Sequence, residues 1–358
     1  MKNNTLAKRP LSRHIFHPHF EGAEIFDTQN ISGYTPDVLR RAYSFDGLYT
    51  GKGMKIAIIS ALDNVAAEEN MKVFCDAFSL PQPKLSVVYY GERAENTSRQ
   101  WLTESSLDTQ WAHVFAPDAE IILVFAQNAD VRTMLSAAEY ASFSLSADVV
   151  SMSFGTGESG VDEGLSEFMS ESQSIFVASS GDVGGNVSFP SSSPDCISVG
   201  GTNLSISKSR IAQTAWKNGG GGPSEVFAIP SFQGRFSDIF TMSDGKRATP
   251  DLALTANFTP GAAVFVSSLG GWTTAGGTSL ACACFSGICA CIKQKHPELK
   301  TSADMLSFLY GKAGTTAYSK PQYYFHDITI GKSGNYYAKV GWDFVSGLGS
   351  PVIKQLLL

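Results

Sequence analysis

The sequence lacks long apolar stretches and carries little charge of either sign. No run approaches the roughly 20 apolar residues that a membrane-spanning helix needs. The polar N-terminus leads into no apolar segment of a signal peptide, which favours the cytoplasm over secretion. Charged residues make up 17% of the 358 residues, and the net charge is −6. This balance argues against nucleic acid or an anionic membrane as the main partner.

The six cysteines follow no metal-binding pattern. Most of them lie on one predicted helix, where Cys282 and Cys289 share one face and Cys284 and Cys291 share another. Residues seven positions apart on a helix are too distant for a disulfide. We predict that these cysteines are small buried apolar residues, which is typical of a reducing compartment.

Short apolar runs alternate with predicted helices in the first half of the chain. Runs typical of buried parallel strands occur at 54–59, 85–89, 120–125, 148–153 and 174–178. Helices are predicted over 65–79, 99–115, 130–145 and 161–172. The alternation predicts an α/β fold with an open, doubly wound, mostly parallel sheet and helices on both faces.

The domain organisation is predicted to be simple. No repeat, low-complexity tract or linker divides residues 34–358, so a single domain is expected there. Residues 1–33 form a polar arm with His14, His17 and His19 clustered in it. A metal site is one interpretation of these histidines, and a loose terminal arm is the interpretation that we favour.

One late stretch has the features of a nucleophilic site. Gly276-Gly277-Thr278-Ser279 precedes a run of small and apolar residues that predicts a buried helix over 279–292. A serine in the first turn of a helix lies beside unpaired N–H groups and the positive end of the helix dipole. Flanking glycines let a substrate backbone approach closely. Ser279 is therefore a candidate nucleophile, the alternative being a helix N-cap after a glycine turn.

Two carboxylates lie on the predicted helix 99–115. Glu104 and Asp108 are four residues apart and project from one face, with Trp101, Leu107 and Trp111 interleaved. In a poorly solvated site two close carboxylates share a proton, and one gains a raised pKa suited to general acid or base chemistry. The alternative is a solvated acidic face.

Asp182 follows the predicted strand 174–178 through a glycine turn. Functional groups of open parallel sheets gather at the carboxyl ends of the strands, where this residue is expected. A protonated carboxyl can donate to an oxyanion, whereas an ionised one repels it. Asp182 is a candidate oxyanion acid, and a plain turn aspartate is the alternative.

Together these motifs resemble the sedolisins, or serine-carboxyl peptidases, which share the subtilisin fold. The resemblance covers about residues 34–352, and the motifs occur in the family's order. They are Glu104 to Asp108 followed by Ala116 to Ile121, Ser180-Gly181-Asp182 with Phe189 to Pro194 and Val199 to Thr202, and Gly276 to Ser279.

The resemblance implies an endopeptidase that acts on peptide or protein substrates. Ser279 would attack the peptide carbonyl, Glu104 would take its proton and return it to the leaving amine, and Asp108 would orient Glu104. Protonated Asp182 would help to hold the tetrahedral oxyanion. The segment Ser153-Phe154-Gly155 would pair with the substrate backbone as an added strand.

The C-terminal region is similar to the family's calcium loop. It contains Phe325 to Thr329, Gly341-Trp342-Asp343 and Gly347 to Pro351. The resemblance implies a Ca²⁺ site whose ligands are the side chains of Asp327 and Asp343 and the carbonyls of Ile328, Lys339 and Gly341. Such oxygen ligands suit a hard cation. A turn-rich terminus without a metal is the alternative.

The chain departs from the family at several positions. Acid-stable members carry a further Glu where this chain has Ser60 and Trp where it has Phe154, and the family's usual proline after the serine is Ala283 here. We therefore expect a shorter carboxylate network and a less acidic pH optimum. Members also carry a large N-terminal prodomain, which an arm of about 33 residues cannot replace. A prodomain or inhibitor supplied in trans is one explanation, and a monomer is expected.

Two other functions compete with this interpretation. A subtilase with an Asp/His/Ser triad needs a histidine that opens a helix, but His113 lies well inside one, and Ser60 replaces the expected aspartate. A non-catalytic binding or scaffold protein is favoured by the residues at Ser60 and Phe154. It is disfavoured because all four catalytic residue types are present.

Overall fold

The computed structural model describes residues 17–18, 30–160, 162–207, 210–314 and 324–358. Its α-helices are α1 (Pro36–Ala42), α2 (Ala67–Phe78), α3 (Arg99–Phe115), α4 (Val131–Phe143), α5 (Asp162–Glu171), α6 (Ser231–Gly234), α7 (Ser237–Ser243), α8 (Thr278–Lys295), α9 (Ser302–Gly314) and α10 (Ile353–Leu356). No helix within these ranges is both long and apolar enough to cross a membrane.

The strands of the first two-thirds of the chain are β1 (His17–Pro18), β2 (Lys55–Ala61), β3 (Lys84–Tyr90), β4 (Glu120–Ala126), β5 (Val149–Met152), β6 (Phe154–Gly157), β7 (Ile175–Ser179), β8 (Ser188–Phe189), β9 (Ile197–Ser207), β10 (Arg210–Ala215) and β11 (Gly222–Ala228). Those that follow are β12 (Lys246–Thr249), β13 (Leu252–Thr255), β14 (Ala262–Val266), β15 (Gly271–Ala275), β16 (Phe325–His326), β17 (Lys332–Ser333), β18 (Tyr336–Tyr337) and β19 (Ser350–Pro351). A short 3₁₀ turn spans Ser267–Leu269.

The central sheet is parallel apart from one strand. Its order is β3-β4-β2-β5-β7-β9, with β13 parallel to one part of β9 and β10 antiparallel to another. The predicted strands and intervening helices are present within a few residues of their expected bounds. The prediction of a doubly wound, mostly parallel sheet is therefore confirmed.

The strands are apolar because both faces of the sheet are covered. On β2, Ile56 and Ile58 lie in one core with α2, α3 and α8, whereas Ala57 and Ile59 lie in a second core with α4 and α5. Successive residues of a strand point to opposite faces, so a strand in the middle of two layers needs apolar residues at every position.

Helices α3 and α8 pack closely against each other. A Cβ atom at Gly287 of α8 would lie 2.4 Å from the Ala112 carbonyl oxygen of α3, so only glycine fits at this crossing. The indole of Trp111 on α3 donates to the Ala263 carbonyl at 3.0 Å. The close approach fixes the relative position of the two helices that carry Glu104, Asp108 and Ser279.

Part of the N-terminal arm is ordered against the domain. His17 and Pro18 form β1, which pairs antiparallel with β6, His17 opposite Gly155 and Pro18 opposite Phe154. The prediction of a loose arm is wrong for these two residues. His14 and His19 of the predicted cluster lie outside the described residues.

All six cysteines are free and buried, as the sequence predicts. Four of them lie on α8, which is buried along almost its whole length.

Candidate active site

The predicted site residues meet at the carboxyl edge of the central sheet. Ser153 directly follows β5, and Asp182 follows β7 after a two-residue turn. Helix α8 starts at the same edge, where Gly277 precedes Thr278 with a φ of 87°, a conformation that favours glycine. The residues that follow the parallel strands thus lie together at this edge, where a functional site of such a sheet is expected.

Ser279 lies in the first turn of α8 and is fully buried. The N-cap of this helix is Gly277, so the alternative role of Ser279 as a cap is wrong. The Ser279 hydroxyl donates to the Ser153 carbonyl at 3.2 Å.

Glu104 and Asp108 are both buried, so the alternative of a solvated acidic face is wrong. Burial raises the pKa of Asp108 well above its usual range. The Ser153 hydroxyl donates to Oδ1 of Asp108 at 2.8 Å, and this bond offsets part of that rise. Burial and the nearby charges of Asp108 and Asp182 raise the pKa of Glu104 well above its usual range. Ser279 is close enough to lower that pKa, although its hydroxyl is directed at Ser153.

Asp182 is fixed to the start of α8. Its Oδ1 accepts from the Thr278 main-chain N–H at 2.9 Å and from the Thr278 hydroxyl at 2.8 Å. The same hydroxyl accepts from the Gly181 N–H at 3.1 Å. Thr278 therefore holds Asp182 close to Ser279, the residue that follows Thr278 in the chain. The sequence alone gives Thr278 no role.

A run of glycines lies behind Asp182, and its role is also not evident from the sequence alone. Residues 219–222 are all glycine, and they pass beneath the turn after β7. Gly220 donates to the Gly181 carbonyl at 2.7 Å, and its own carbonyl accepts from the Ser180 hydroxyl at 2.9 Å. A Cβ atom at Gly220 would lie 2.1 Å from the Ser180 carbonyl oxygen. The signal in the sequence was the glycine run itself, which marks a close approach of two main chains.

The predicted substrate segment borders a cleft of about 930 Å³. Phe154 is buried against Trp101, with ring centroids 6.4 Å apart, and β6 continues from it along the cleft wall. The cleft is lined by His17, Pro18, Gly155 to Glu158, Gly181 to Val183, Gly185 to Ser188, Pro223 to Glu225, Ser243, Asp244, Lys246 and Tyr336.

The contacts of His113 are those of a structural residue, not of a catalytic one. Its Nε2–H donates to the Pro81 carbonyl at 2.8 Å, and burial lowers the pKa of the ring to about 4. A neutral imidazole fixed to the loop before β3 does not pair with Ser279. Ser60, at the position of the aspartate that such a triad would need, is a buried residue of β2.

Asp327 and Asp343, two of the predicted calcium ligands, both bond to the main chain of residues 339–341. Oδ2 of Asp327 accepts from the Gly341 N–H, and Oδ2 of Asp343 accepts from the Lys339 N–H, both at 2.9 Å. Burial raises the pKa of both carboxyls. Neither forms an ion pair with any residue that the structure describes.

The chain is similar to known proteins in both sequence and fold. The sequence profile of the subtilase family matches residues 94–342. Kumamolisin of Bacillus sp. (strain MN-32) is 30% identical over 98% of this chain and 69% of its own length. Sedolisin of Pseudomonas sp. (strain 101) is 30% identical over 48% of this chain and 30% of its own length.

A solved structure, Pseudomonas sedolisin (a serine-carboxyl proteinase) complexed with two molecules of pseudo-iodotyrostatin, covers 92% of this chain and 98% of its own with a TM-score of 0.77 and 25% identity. The fold and these likenesses define a serine-type peptidase with the subtilisin-like architecture. Within that class the chain belongs to the sedolisin family of serine-carboxyl peptidases. An enzyme that acts on peptide or protein substrates is thus supported over a non-catalytic scaffold.

Proposed function

We propose that this peptidase uses Ser279 as nucleophile, Glu104 as general base and acid, Asp108 as the partner of Glu104 and Asp182 as the oxyanion acid. The observation that carries the proposal is the position of Ser153. Its hydroxyl donates to Asp108 and its carbonyl accepts from Ser279, so one residue links the acidic pair to the nucleophile. Glu104 lies close to the same serine hydroxyl.

The acidic pair supplies the base. In water a carboxylate is a weak base, but burial of Glu104 beside Asp108 raises the pKa of Glu104 toward that needed to accept a hydroxyl proton. With one proton shared between the two, Glu104 acts as the base in the form of the pair in which Asp108 holds that proton. The Ser279 hydroxyl then rotates from the Ser153 carbonyl toward Glu104 as it attacks.

The covalent steps balance around Ser279. Its Oγ bonds to the substrate carbonyl carbon, and the hydroxyl proton moves to Glu104. Asp182, protonated, donates to the oxyanion of the tetrahedral intermediate. When the C–N bond breaks, Glu104 returns the proton to the leaving amine, and water repeats the sequence to release the acyl group.

The substrate backbone lies along β6 as an added strand. Main-chain groups of Phe154 and Gly155 would pair with the substrate, in the mode by which extended peptides join an exposed sheet edge. The first residue of the segment, Ser153, then faces the residue whose carbonyl is attacked. A separate inhibitor chain would bind along this edge too.

We propose that the C-terminal loop holds a calcium ion. Asp327 and Asp343 bring two negative charges to one loop without an ion-pair partner among the described residues. Oδ1 of Asp343 already accepts from the Val345 and Ser346 N–H groups and the Ser346 hydroxyl, whereas Oδ2 of each carboxylate accepts one bond and can accept another. Within those residues no three His, Cys, Asp or Glu side chains cluster as metal ligands, so main-chain carbonyls would have to complete the shell. We propose Ile328, Lys339 and Gly341 for that role, with Ca²⁺ supplying charge compensation that tightens the loop.

The test of the proposed function is a pH–rate profile on a mixed peptide library with Ser279→Ala and a matched control, Ser286→Ala. Ser286 lies further along the same helix, where it donates to the Ser151 hydroxyl. We expect Ser279→Ala to lose about 10⁴-fold or more in kcat and Ser286→Ala to retain activity. Equal rates for Ser279→Ala and the parent protein would exclude the nucleophile.

The profile itself tests the acidic pair. Because the pKa of Glu104 is raised, the rate should increase with pH above the usual carboxyl range of about 4. A rate that is already maximal at pH 4 would contradict Glu104 as a buried base.

A further inference from the structure

The proposed substrate cleft carries acidic side chains besides the proposed oxyanion acid. Glu158, Glu225 and Asp244 line it, and the basic side chains of the same lining are His17 and Lys246. None of these five residues forms an ion pair with any residue that the structure describes. The charges of the cleft are therefore not neutralised by close partners within the described part of the chain.

Glu158 is held in place directly after β6. Its Oε1 accepts from the Ser224 hydroxyl at 2.5 Å, and its Oε2 accepts from the Glu225 main-chain N–H at 2.8 Å. Both donors belong to β11, so this side chain joins the end of one strand to another. Each carboxylate oxygen has two lone pairs and uses one of them here. Glu158 therefore offers a further ligand two acceptor sites side by side.

The Ser224 hydroxyl is oriented toward Glu158 by its own partners. Its oxygen accepts from the main-chain N–H groups of Val226 at 3.1 Å and Phe227 at 2.8 Å. These two bonds occupy both lone pairs, so the hydroxyl proton is left for the carboxylate. Because protein groups already fix the negative charge, a ligand that pairs with Glu158 does not have to order this side chain.

Part of the cleft lining is apolar. Val187, Pro223 and Tyr336 contribute to it, and the ring of Tyr336 packs against that of Phe344 with centroids 4.8 Å apart. Lysine and arginine lay their apolar stems along such surfaces and keep the charged head at polar groups. The combination of apolar lining and a fixed carboxylate thus suits a long basic side chain.

A second polar group of the cleft has no partner in the protein. Ser243 is only 1% exposed and lines the cleft, yet its hydroxyl has no hydrogen-bond partner among the described residues. Leaving a buried hydroxyl unpaired costs stability. The hydroxyl can be satisfied by a ligand that brings several hydrogen-bond donors, and a guanidinium brings five N–H groups.

We propose that this cleft is a specificity pocket for an arginine or lysine side chain of the substrate, and that Glu158 pairs with it. The inference rests on the proposed function, because Gly181 and Asp182 of the proposed oxyanion site line the same cleft. The substrate residue that contributes the attacked carbonyl has its side chain nearest to the cleft, so cleavage follows the basic residue. Arginine is favoured over lysine because its planar fork can donate two bonds to one carboxylate.

Lys246 is the group that could reverse this preference by pairing with an acidic substrate side chain. Its charge lies at the end of a flexible stem, in a cleft that Glu225 and Asp244 also line. Glu158, in contrast, is fixed by two hydrogen bonds before a substrate binds. The pre-positioned charge of the cleft is therefore negative, and the preference for a basic side chain follows from it.

The first readout compares two peptides of nearly the same shape. An internally quenched peptide with one arginine among alanines is compared with the same peptide carrying citrulline, the uncharged analogue of arginine. At pH 6 we expect kcat/KM of the parent protein to be roughly 10- to 100-fold higher for the arginine peptide. Mass spectrometry should place the cut after the arginine. A ratio near one, a cut elsewhere in the peptide, or a preference for glutamate over glutamine at that position would overturn the proposal.

The substitution Glu158→Gln tests the residue itself, with Glu167→Gln as the matched control. Glu167 is exposed on α5 and does not line the cleft, so its substitution removes the same charge elsewhere. The arginine-to-citrulline ratio should fall to within about threefold of unity in Glu158→Gln and keep the parent value in Glu167→Gln. Any distortion of the cleft affects both peptides, so the ratio reports the charge. An unchanged ratio in Glu158→Gln would overturn the assignment.

Binding without catalysis separates this proposal from the proposed function. In the Ser279→Ala background, the Kd values of the two peptides are measured by fluorescence anisotropy with and without Glu158→Gln. If no protein shows Ser279-dependent turnover but the arginine peptide binds more tightly and loses this advantage with Glu158→Gln, the catalysis fails and the pocket stands. If turnover depends on Ser279 but neither the Kd ratio nor the kcat/KM ratio depends on Glu158, the catalysis stands and the pocket proposal fails.

Discussion

At the scale of single residues, the site depends on side chains that face each other from separate elements. Glu104, Asp182 and Ser279 could be proposed from the sequence because each lies in a short motif of recognisable chemistry. The double contact of Ser153 could not, since it requires the end of β5 to lie between α3 and α8. No pattern along the chain encodes which way a buried hydroxyl points.

The buried carboxyls should cost stability at neutral pH. Their folded-state pKa values are raised by burial, so the folded protein holds protons more tightly than the unfolded chain. Their favourable contribution is complete below about pH 4 and is lost as pH rises through the folded-state values. Glu104→Gln should therefore raise the free energy of unfolding at pH 7 by about 1 kcal/mol or more.

Thermal unfolding from pH 3.5 to pH 8 measures this effect. The gain from Glu104→Gln should shrink as pH is lowered and disappear near pH 4. Glu139→Gln, at an exposed position of α4, serves as control and should show no such trend. A gain that is independent of pH would mean that ionisation of Glu104 is not its cause.

At the scale of elements, helices and strands follow from hydrophobic periodicity and their boundaries were close to those predicted. Helix α3 spans the predicted residues 99–115, and α8 extends the predicted 279–292 at both ends. Their mutual packing was not predictable, because a glycine within an apolar run does not show which main chain it admits. The structure shows that Gly287 faces Ala112.

Gly287→Ala should destabilise the protein although alanine favours helices. The added Cβ would meet a main-chain oxygen at 2.4 Å, and relief requires the two helices to separate. We expect a net loss of about 1–3 kcal/mol in a denaturant titration, together with lower activity because Glu104 moves away from Ser279.

The matched control for this prediction is Gly164→Ala on α5, where no atom lies within 4 Å of the new Cβ. Its stability should stay the same or rise by up to about 1 kcal/mol. Equal effects of the two substitutions would indicate that the crossing of α3 and α8 is looser than the structure shows.

At the scale of the whole molecule, distant parts of the chain close around the sheet. The C-terminal loop packs on β13, where Leu348 donates to the Asp251 carbonyl at 2.8 Å and Ala253 donates to the Gly349 carbonyl at 3.1 Å. Asp251 itself forms a fully buried ion pair with Arg247 at 2.6 Å.

The pairing of β1 with β6 belongs to this scale too. A two-residue strand has no periodicity, so only the folded domain reveals it.

Calcium should stabilise the molecule through this loop. Millimolar Ca²⁺ should raise the melting temperature by several degrees relative to EDTA, since a ligand at 100 times its Kd contributes about 2.7 kcal/mol. Asp343→Asn should remove most of the rise, whereas Asp46→Asn, at an exposed turn, should keep it. Identical melting curves of the parent protein in Ca²⁺ and in EDTA would exclude the site.

The buried thiols have a practical consequence. Burial raises the pKa of Cys282, one turn after Ser279, to about 12, and its thiol donates to the Val177 carbonyl at 3.6 Å. Alkylating reagents need an accessible thiolate, so this thiol does not react with them in the native state. The alkylation rate of Cys282 therefore reports how often the core beneath the nucleophile opens. Mass spectrometry can measure this rate without an engineered probe.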